Sequence, residues 1–247
     1  MASVLNVSAY LFTHLVDAPA LRPVLRERAV TAGLKGTILL AEEGINLFLA
    51  GDADAVRGFV AELRRDSRFA ALTTKESWSS TQPFGKMLVK VKREIIRMDH
   101  PTIRPAAGRA PAVAPATLQR WLAQGADDEG RDVVLLDTRN AFEVEYGAFE
   151  GAVDWRLERF TQFPDAAAAA AADLEGKTVV SYCTGGIRCE KAAIYLREVG
   201  IKAYQLDGGI LGWFEHVGGE HWTGDCFVFD EREALTPELV ARPEAVA

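Results

Sequence analysis

Val179-Val180-Ser181-Tyr182-Cys183-Thr184-Gly185-Gly186-Ile187-Arg188 decides how the second half of this chain is read. An apolar, β-branched run ends, a short loop with two glycines follows, and helix-forming sequence resumes. A buried strand, a glycine loop and a helix start in that order belong to a parallel α/β sheet. Glycines let the backbone curl so that successive N–H groups converge on one point. The helix N-terminus adds partial positive charge, and Arg188 is spaced to add a full one. A cysteine held there has its thiolate favoured and its pKa lowered. Cys183 and Arg188 are therefore the candidate catalytic residues, and Thr184, Gly185, Gly186 and Ile187 form the active-site loop. A cysteine at a strand end also serves as a small buried apolar residue. The order of cysteine, two glycines, arginine and helix start favours an anion cradle, which suits a thiolate, a persulfide or charge developing on an attacked atom.

Working outward, residues 133–136 and 178–182 read as central parallel strands, apolar on both faces. Residues 189–198 read as a helix ended by Gly200, and 203–206 as a third strand. The alanine run at 166–172 favours helix by propensity and is expected on the surface. Residues 100–115 hold Pro101, Pro105, Pro111, Pro115 and Gly108, a composition that predicts a stiff, extended linker. The first hundred residues follow another rhythm. A strand spans 4–12, and a helix spans 20–32 with Leu21, Val24, Leu25 and Ala29 on one face. Two strands, 37–41 and 45–50, flank Glu42-Glu43-Gly44 as a hairpin. Asp52 or Asp54 caps a helix running to about Arg65, with Val56, Phe59, Val60 and Leu63 inward. A strand over 87–96 sets Met87, Val89 and Val91 against Lys86, Lys90 and Lys92. The order βαββαβ is the ferredoxin-like unit. The predicted architecture is thus α/β: a ferredoxin-like α+β domain over 1–98, a linker over 99–115, an α/β domain with a parallel sheet over 116–225, and a C-terminal tail over 226–247 that is loose from 235 onward.

The chain has 247 residues and three cysteines, too few for a disulfide framework. No apolar run approaches the ~20 residues that span a bilayer, and no signal peptide is legible. The expectation is a cytoplasmic protein with reduced thiols and no membrane partner. Residues 1–98 carry 14 Lys/Arg against 10 Asp/Glu (+4), and 99–247 carry 14 against 25 (−11), together the chain's −7. A basic first half points weakly to a polyanionic partner. Lys86, Lys90, Lys92 and Arg93, with Arg97, form a basic cluster that either guards an edge strand or contacts phosphates. Trp78 and Phe84, just upstream, either stack on an unpaired base or belong to the core. The four histidines offer no ligand spacing, and His216, His221 and Cys226 match a metal site only by isolated coincidence. No metal or other cofactor is expected. Cys189 either resolves an oxidised Cys183 or packs against the sheet.

Four residues separate Cys183 from Arg188, one fewer than in tyrosine-phosphatase-type loops. The tighter loop resembles that of the rhodanese family, which carries sulfur as a cysteine persulfide. Asp137-Thr138-Arg139 with Glu143, Gly151-Ala152, and Asp207-Gly208-Gly209-Ile210 with Trp213 agree with that resemblance, and Asp137 and Arg139 are expected to support the site. More closely, the chain resembles the bacterial rhodanese-domain tRNA uridine hydroxylases, which convert the wobble uridine to 5-hydroxyuridine with molecular oxygen. The matching segments are Gly36-Thr37-Ile38-Leu39-Leu40-Ala41-Glu42-Glu43-Gly44-Ile45-Asn46, Lys90-Val91-Lys92-Arg93-Glu94-Ile95-Ile96, Asp137-Thr138-Arg139-Asn140, Phe160-Thr161-Gln162-Phe163-Pro164, Cys183 through Lys191, and Cys226-Phe227-Val228-Phe229-Asp230-Glu231-Arg232. Longer members continue into a cysteine-rich C-terminal region, so the expectation is a short form. The resemblance implies a tRNA substrate and oxygen as co-substrate, with Lys86, Lys90, Lys92 and Arg93 as tRNA contacts. A sulfurtransferase passing a persulfide sulfur to a small acceptor or to tRNA is the alternative, and a non-catalytic RNA-binding module with a vestigial loop is a third.

Overall fold

The computed structural model describes residues 3–242. The described residues divide into two compact units, one of residues 3–97 and 229–233, the other of residues 98–228 and 234–242. The first unit runs β1 (Val4–Phe12), α1 (Ala18–Thr31), β2 (Lys35–Ala41), β3 (Gly44–Gly51), α2 (Ala53–Leu63), β4 (Thr73–Ser79) and β5 (Met87–Val91). Its sheet has the order β4-β1-β3-β2-β5. Leu5, Val7, Ile38, Leu40, Leu47 and Leu49 of the sheet meet Leu25 and Ala29 of α1 and Val56, Phe59 and Leu63 of α2 in one core. Asp52 caps α2, its Oδ1 accepting from the N–H groups of Asp54 and Ala55 at 3.0 and 3.2 Å.

The hairpin of β2 and β3 turns at Glu42-Glu43. Gly44 has φ +147°, and a Cβ there would lie 2.1 Å from the Leu11 carbonyl oxygen. Only glycine lets β1 pair that closely. The Glu43 carboxylate accepts from the Ile95 N–H at 2.8 Å, and the Leu40 carbonyl accepts from Lys92 N–H at 2.7 Å. The two segments of family resemblance in this unit therefore hold each other.

The strand expected over 87–96 is corrected in extent and place. It ends at Val91, which is 39% exposed, and it pairs in parallel with β2 at the sheet edge. The fourth strand of the ferredoxin-like order is β4, antiparallel to β1. Thr73-Thr74-Lys75-Glu76-Ser77-Trp78-Ser79 shows no apolar alternation, so periodicity alone passes over it.

The second unit contains β6 (Ala112–Val113), α3 (Pro115–Gln124), β7 (Val133–Asp137), α4 (Ala141–Val144), β8 (Gly147–Phe149), β9 (Val153–Asp154), α5 (Phe163–Ala169), α6 (Ala171–Leu174), β10 (Thr178–Tyr182), α7 (Ile187–Glu198), β11 (Lys202–Leu206) and α8 (Gly209–His216). A fully parallel sheet has the order β6-β11-β10-β7-β9. β12 (Trp222–Gly224) pairs with β8, and β13 (Cys226–Phe227) with β14 (Ala234–Leu235). Phe149 meets Tyr182, Trp213 and Trp222 edge-on at centroid distances of 4.8, 5.0 and 5.1 Å, centring the core.

Two further expectations, the linker and the loose tail, are corrected. The Pro-rich stretch 99–115 is no free linker: Ile103, Pro105, Ala110 and Val113 are buried, and β6 extends the parallel sheet through β11. Pro111 lacks an N–H but its carbonyl accepts from Gln205 N–H at 3.0 Å, so proline serves on this edge. The alanine run is helical and largely at the surface as expected, but as two short helices meeting at Ala170, with Ala167 alone of the seven alanines buried. The tail packs: Cys226, Ala234 and Leu235 are buried, and Arg232 grips Asp230 at 2.6 Å while donating to Ser77 Oγ at 2.8 Å. Residues 243–247 of that tail lie outside the described residues. Among the described residues no helix is long and apolar enough to cross a membrane.

Candidate active site

β10 lies between β11 and β7, so Cys183 emerges at the carboxyl end of a central parallel strand, the usual place for ligands in open α/β sheets. The loop then bends through Gly186 at φ +106° into α7. The Gly186 N–H donates to Cys183 Sγ at 3.2 Å. Cys189, in the first turn of α7, donates its thiol to the Gly186 carbonyl at 3.0 Å. Burial pushes the Cys183 thiol up, but the Cys189 thiol, the Arg188 charge and the Cys189 and Arg188 N–H groups outweigh it and bring it down to about 5. Burial, then the Cys183 sulfur, hold Cys189 well above the ordinary thiol range. Burial drives Cys226 up to about 12. At neutral pH one thiol of the three is thus anionic. Cys183 is 1% exposed, so its sulfur is screened from bulk water in this conformation.

The loop rests on α8. Ile210 and Leu211 N–H groups donate to the Cys183 and Thr184 carbonyls at 2.9 and 3.0 Å. Gly209 has φ +61°, and a Cβ there would stand 2.3 Å from the Cys183 carbonyl oxygen. The Gly-Gly of residues 208–209 is thereby explained: its second glycine is the floor on which the loop sits.

Arg188 supplies the positive charge expected of it, and its own hydrogen bonds go to a partner on another element. Its guanidinium forms a buried two-pronged pair with Glu143, at 2.5 and 2.7 Å. Burial, which lowers its pKa, is overcome by the Glu143 carboxylate, which raises it. The arginine acts on Cys183 by charge across the loop and by fixing α7 to α4. Sequence reading noted Glu143 only for its spacing from Arg139, because partners from separate elements leave no local periodicity. Arg139 and Asp137 form a second, fully buried pair at 2.6 Å. Arg139 also donates to the Glu143 and Gly147 carbonyls at 3.3 and 2.7 Å, which orients α4. Thr138 donates through both N–H and hydroxyl to the Tyr182 carbonyl, at 3.0 and 2.8 Å, tying this turn to the residue before Cys183.

Aromatic rings gather beside the loop. Phe142 of α4 meets Phe227 edge-on at 5.2 Å, and Tyr146 meets Phe227 at 5.1 Å. The Phe227 carbonyl accepts from the Thr184 hydroxyl at 3.4 Å.

Lys86, just before β5, Lys90 on it, and Lys92 and Arg93, just after it, are exposed in the first unit. In that unit Trp78 is 41% exposed with the Arg57 guanidinium 5.9 Å from its ring, and Phe84 is half-buried. His216 Nδ1 lies 2.9 Å from the Gly212 carbonyl. Among the described residues no three His, Cys, Asp or Glu side chains gather as a metal ion requires.

Comparison with known proteins agrees with this division. Residues 4–95 match the model of the UPF0176 acylphosphatase-like domain, and residues 118–216 that of the rhodanese-like domain. The chain is 67% identical over 243 residues to a tRNA uridine(34) hydroxylase of Variovorax paradoxus, covering 98% of this chain and 92% of that protein. It is 65% identical to the protein of that name from Delftia acidovorans, covering 99% and 94%. The corresponding protein of Bordetella avium is 63% identical, with 96% and 98% covered.

Proposed function

The chain belongs to the tRNA uridine(34) hydroxylase family and is an enzyme of tRNA modification, and from that membership we propose that it hydroxylates the wobble uridine at C5 with molecular oxygen, using Cys183. In this reaction the C5–H of the uracil becomes C5–OH. One oxygen atom enters the base, the other leaves as water, and a reductant supplies two electrons and two protons. The observation that carries the role of Cys183 is its acidity: it is the one thiol held as an anion near neutral pH, at the end of a central strand beside converging N–H groups. Arg188 supplies charge from its pair with Glu143, and Asp137 and Arg139 hold that pair in place.

The test is nucleoside mass spectrometry of tRNA from cells lacking the gene, grown with oxygen. Loss of 5-hydroxyuridine, restored by the intact gene but not by Cys183→Ala, is expected. An unchanged level would overturn the reading. The cradle also suits a persulfide, which favours sulfur transfer as the second reading. That reaction runs without oxygen and leaves donor sulfur in the product. A fall in a thiolated nucleoside with 5-hydroxyuridine intact would establish it instead.

The basic set on β5 fits the large polyanion this reaction needs. Changing Lys90, Lys92 and Arg93 together to Glu is expected to weaken tRNA binding and to flatten its salt dependence by roughly one slope unit per lost phosphate contact. Unchanged binding would leave these side chains as guards of an edge strand.

A further inference from the structure

We propose that Phe142, braced by Phe227 and Tyr146, is the platform on which the uracil of the wobble nucleotide stacks while it is presented to Cys183. The inference rests on the hydroxylase reading and names the surface that receives the base. Phe142 is 45% exposed, in contrast to the buried rings at the centre of this unit. It sits on α4, a one-turn helix whose next residue, Glu143, clamps Arg188. The Glu143 carboxylate also accepts from the Asn140 N–H at 3.0 Å, and Arg139 holds the Glu143 carbonyl. The backbone that carries Phe142 is therefore fixed to the cysteine loop by buried, charge-assisted bonds. From the other side, Phe227 reaches the loop through the Thr184 hydroxyl. The rings meet Phe227 at 85° and 58°, edge-on or tilted rather than stacked, which holds Phe142 while part of it stays in solvent.

An exposed, immobilised apolar ring beside the loop that carries a buried reactive sulfur suits a flat, weakly polar partner. Every nucleobase has a π-face, and stacking on an aromatic side chain contributes ~1–3 kcal/mol per base. A base acted on by an enzyme leaves its stack, so that lost stacking has to be replaced in the site. Phe142 replaces it, and the rigid α4–α7 pairing sets the height of the base relative to the sulfur.

The full-length protein is irradiated with an anticodon stem-loop RNA carrying 5-iodouridine at the wobble position, and the cross-linked peptide is mapped. The expected cross-link falls on the peptides of Phe142, Tyr146 or Phe227. Phe142→Leu, which keeps apolar bulk at an exposed site, is expected to lower cross-linking and kcat/KM for the stem-loop about ten-fold, the order of one stacked base. Its Cys183 titration should be unchanged, and Phe142→Trp should restore the cross-link. A cross-link confined to other peptides, or equal yields from wild type and Phe142→Leu, would overturn the platform, including the case in which the exposed ring serves a protein partner. The two readings fail separately. Cys183→Ala should cross-link normally without hydroxylating. If the wild type cross-links at Phe142 but forms no 5-hydroxyuridine, the reaction falls and the platform stands.

Discussion

The acidity of Cys183 has a measurable consequence for stability. In the folded protein its thiol titrates near 5, against an ordinary value of 9.0. A group whose pKa is depressed by folding stabilises the native state at high pH, and that contribution disappears as pH falls through the folded value. Between about 5 and about 9 the unfolded chain holds one proton more at this site than the folded chain. Stability from Cys183 therefore rises with pH by about 1.4 kcal/mol per unit across that window. About 3 kcal/mol is present at pH 7, and almost none remains at pH 5. The perturbation is Cys183→Ala, which removes the titrating group at a buried position. Urea unfolding of both proteins in steps from pH 5 to pH 8 gives the difference in stability at each pH. Packing changes from the lost sulfur shift that difference by a constant, so its slope isolates the ionisation. The gap should widen in favour of the wild type as pH rises, with the thiolate ultraviolet band of the wild type growing through the same low midpoint. Parallel curves across that range would refute the cradle argument.

Other outcomes follow from the same geometry. Cys189→Ala removes a neighbouring thiol that lowers the Cys183 pKa, and the Cys183 midpoint should rise; a midpoint unmoved in the ultraviolet titration would make Cys189 mere packing. Arg188→Met leaves Glu143 buried without its cation and should cost about 3–5 kcal/mol in urea unfolding. Adding Glu143→Gln should recover part of that loss, and strictly additive losses would contradict a direct pair. Gly209→Ala drives a methyl group against the Cys183 carbonyl at a left-handed backbone position. It should lower both the melting temperature and hydroxylation, and a variant with normal activity would show that the loop does not need this floor.

Much of the site was legible in the sequence where the chemistry is local. The cradle needs a strand end, a tight loop, glycine freedom and a helix start, all within Val179–Arg188, and each leaves its mark on neighbouring residues. The β2–β3 hairpin and the capped start of α2 were readable for the same reason. Composition misled where the chain borrows order from elsewhere. The Pro-rich residues 99–115 look unpaired alone, yet β11 supplies hydrogen-bond partners for residues 111–113. β4 carries no apolar alternation and is a strand because β1 pairs with it. At the site, tertiary structure alone decided that Arg188 answers to Glu143 and that Gly209 supports the Cys183 loop from α8. It also decided that Phe142 and Phe227, 85 positions apart, share one aromatic cluster beside that loop. Backbone curvature and helix starts are set by interactions a few residues long. Charge pairing, close backbone approach and ring clustering join segments far apart in sequence, and only the folded chain brings them into range.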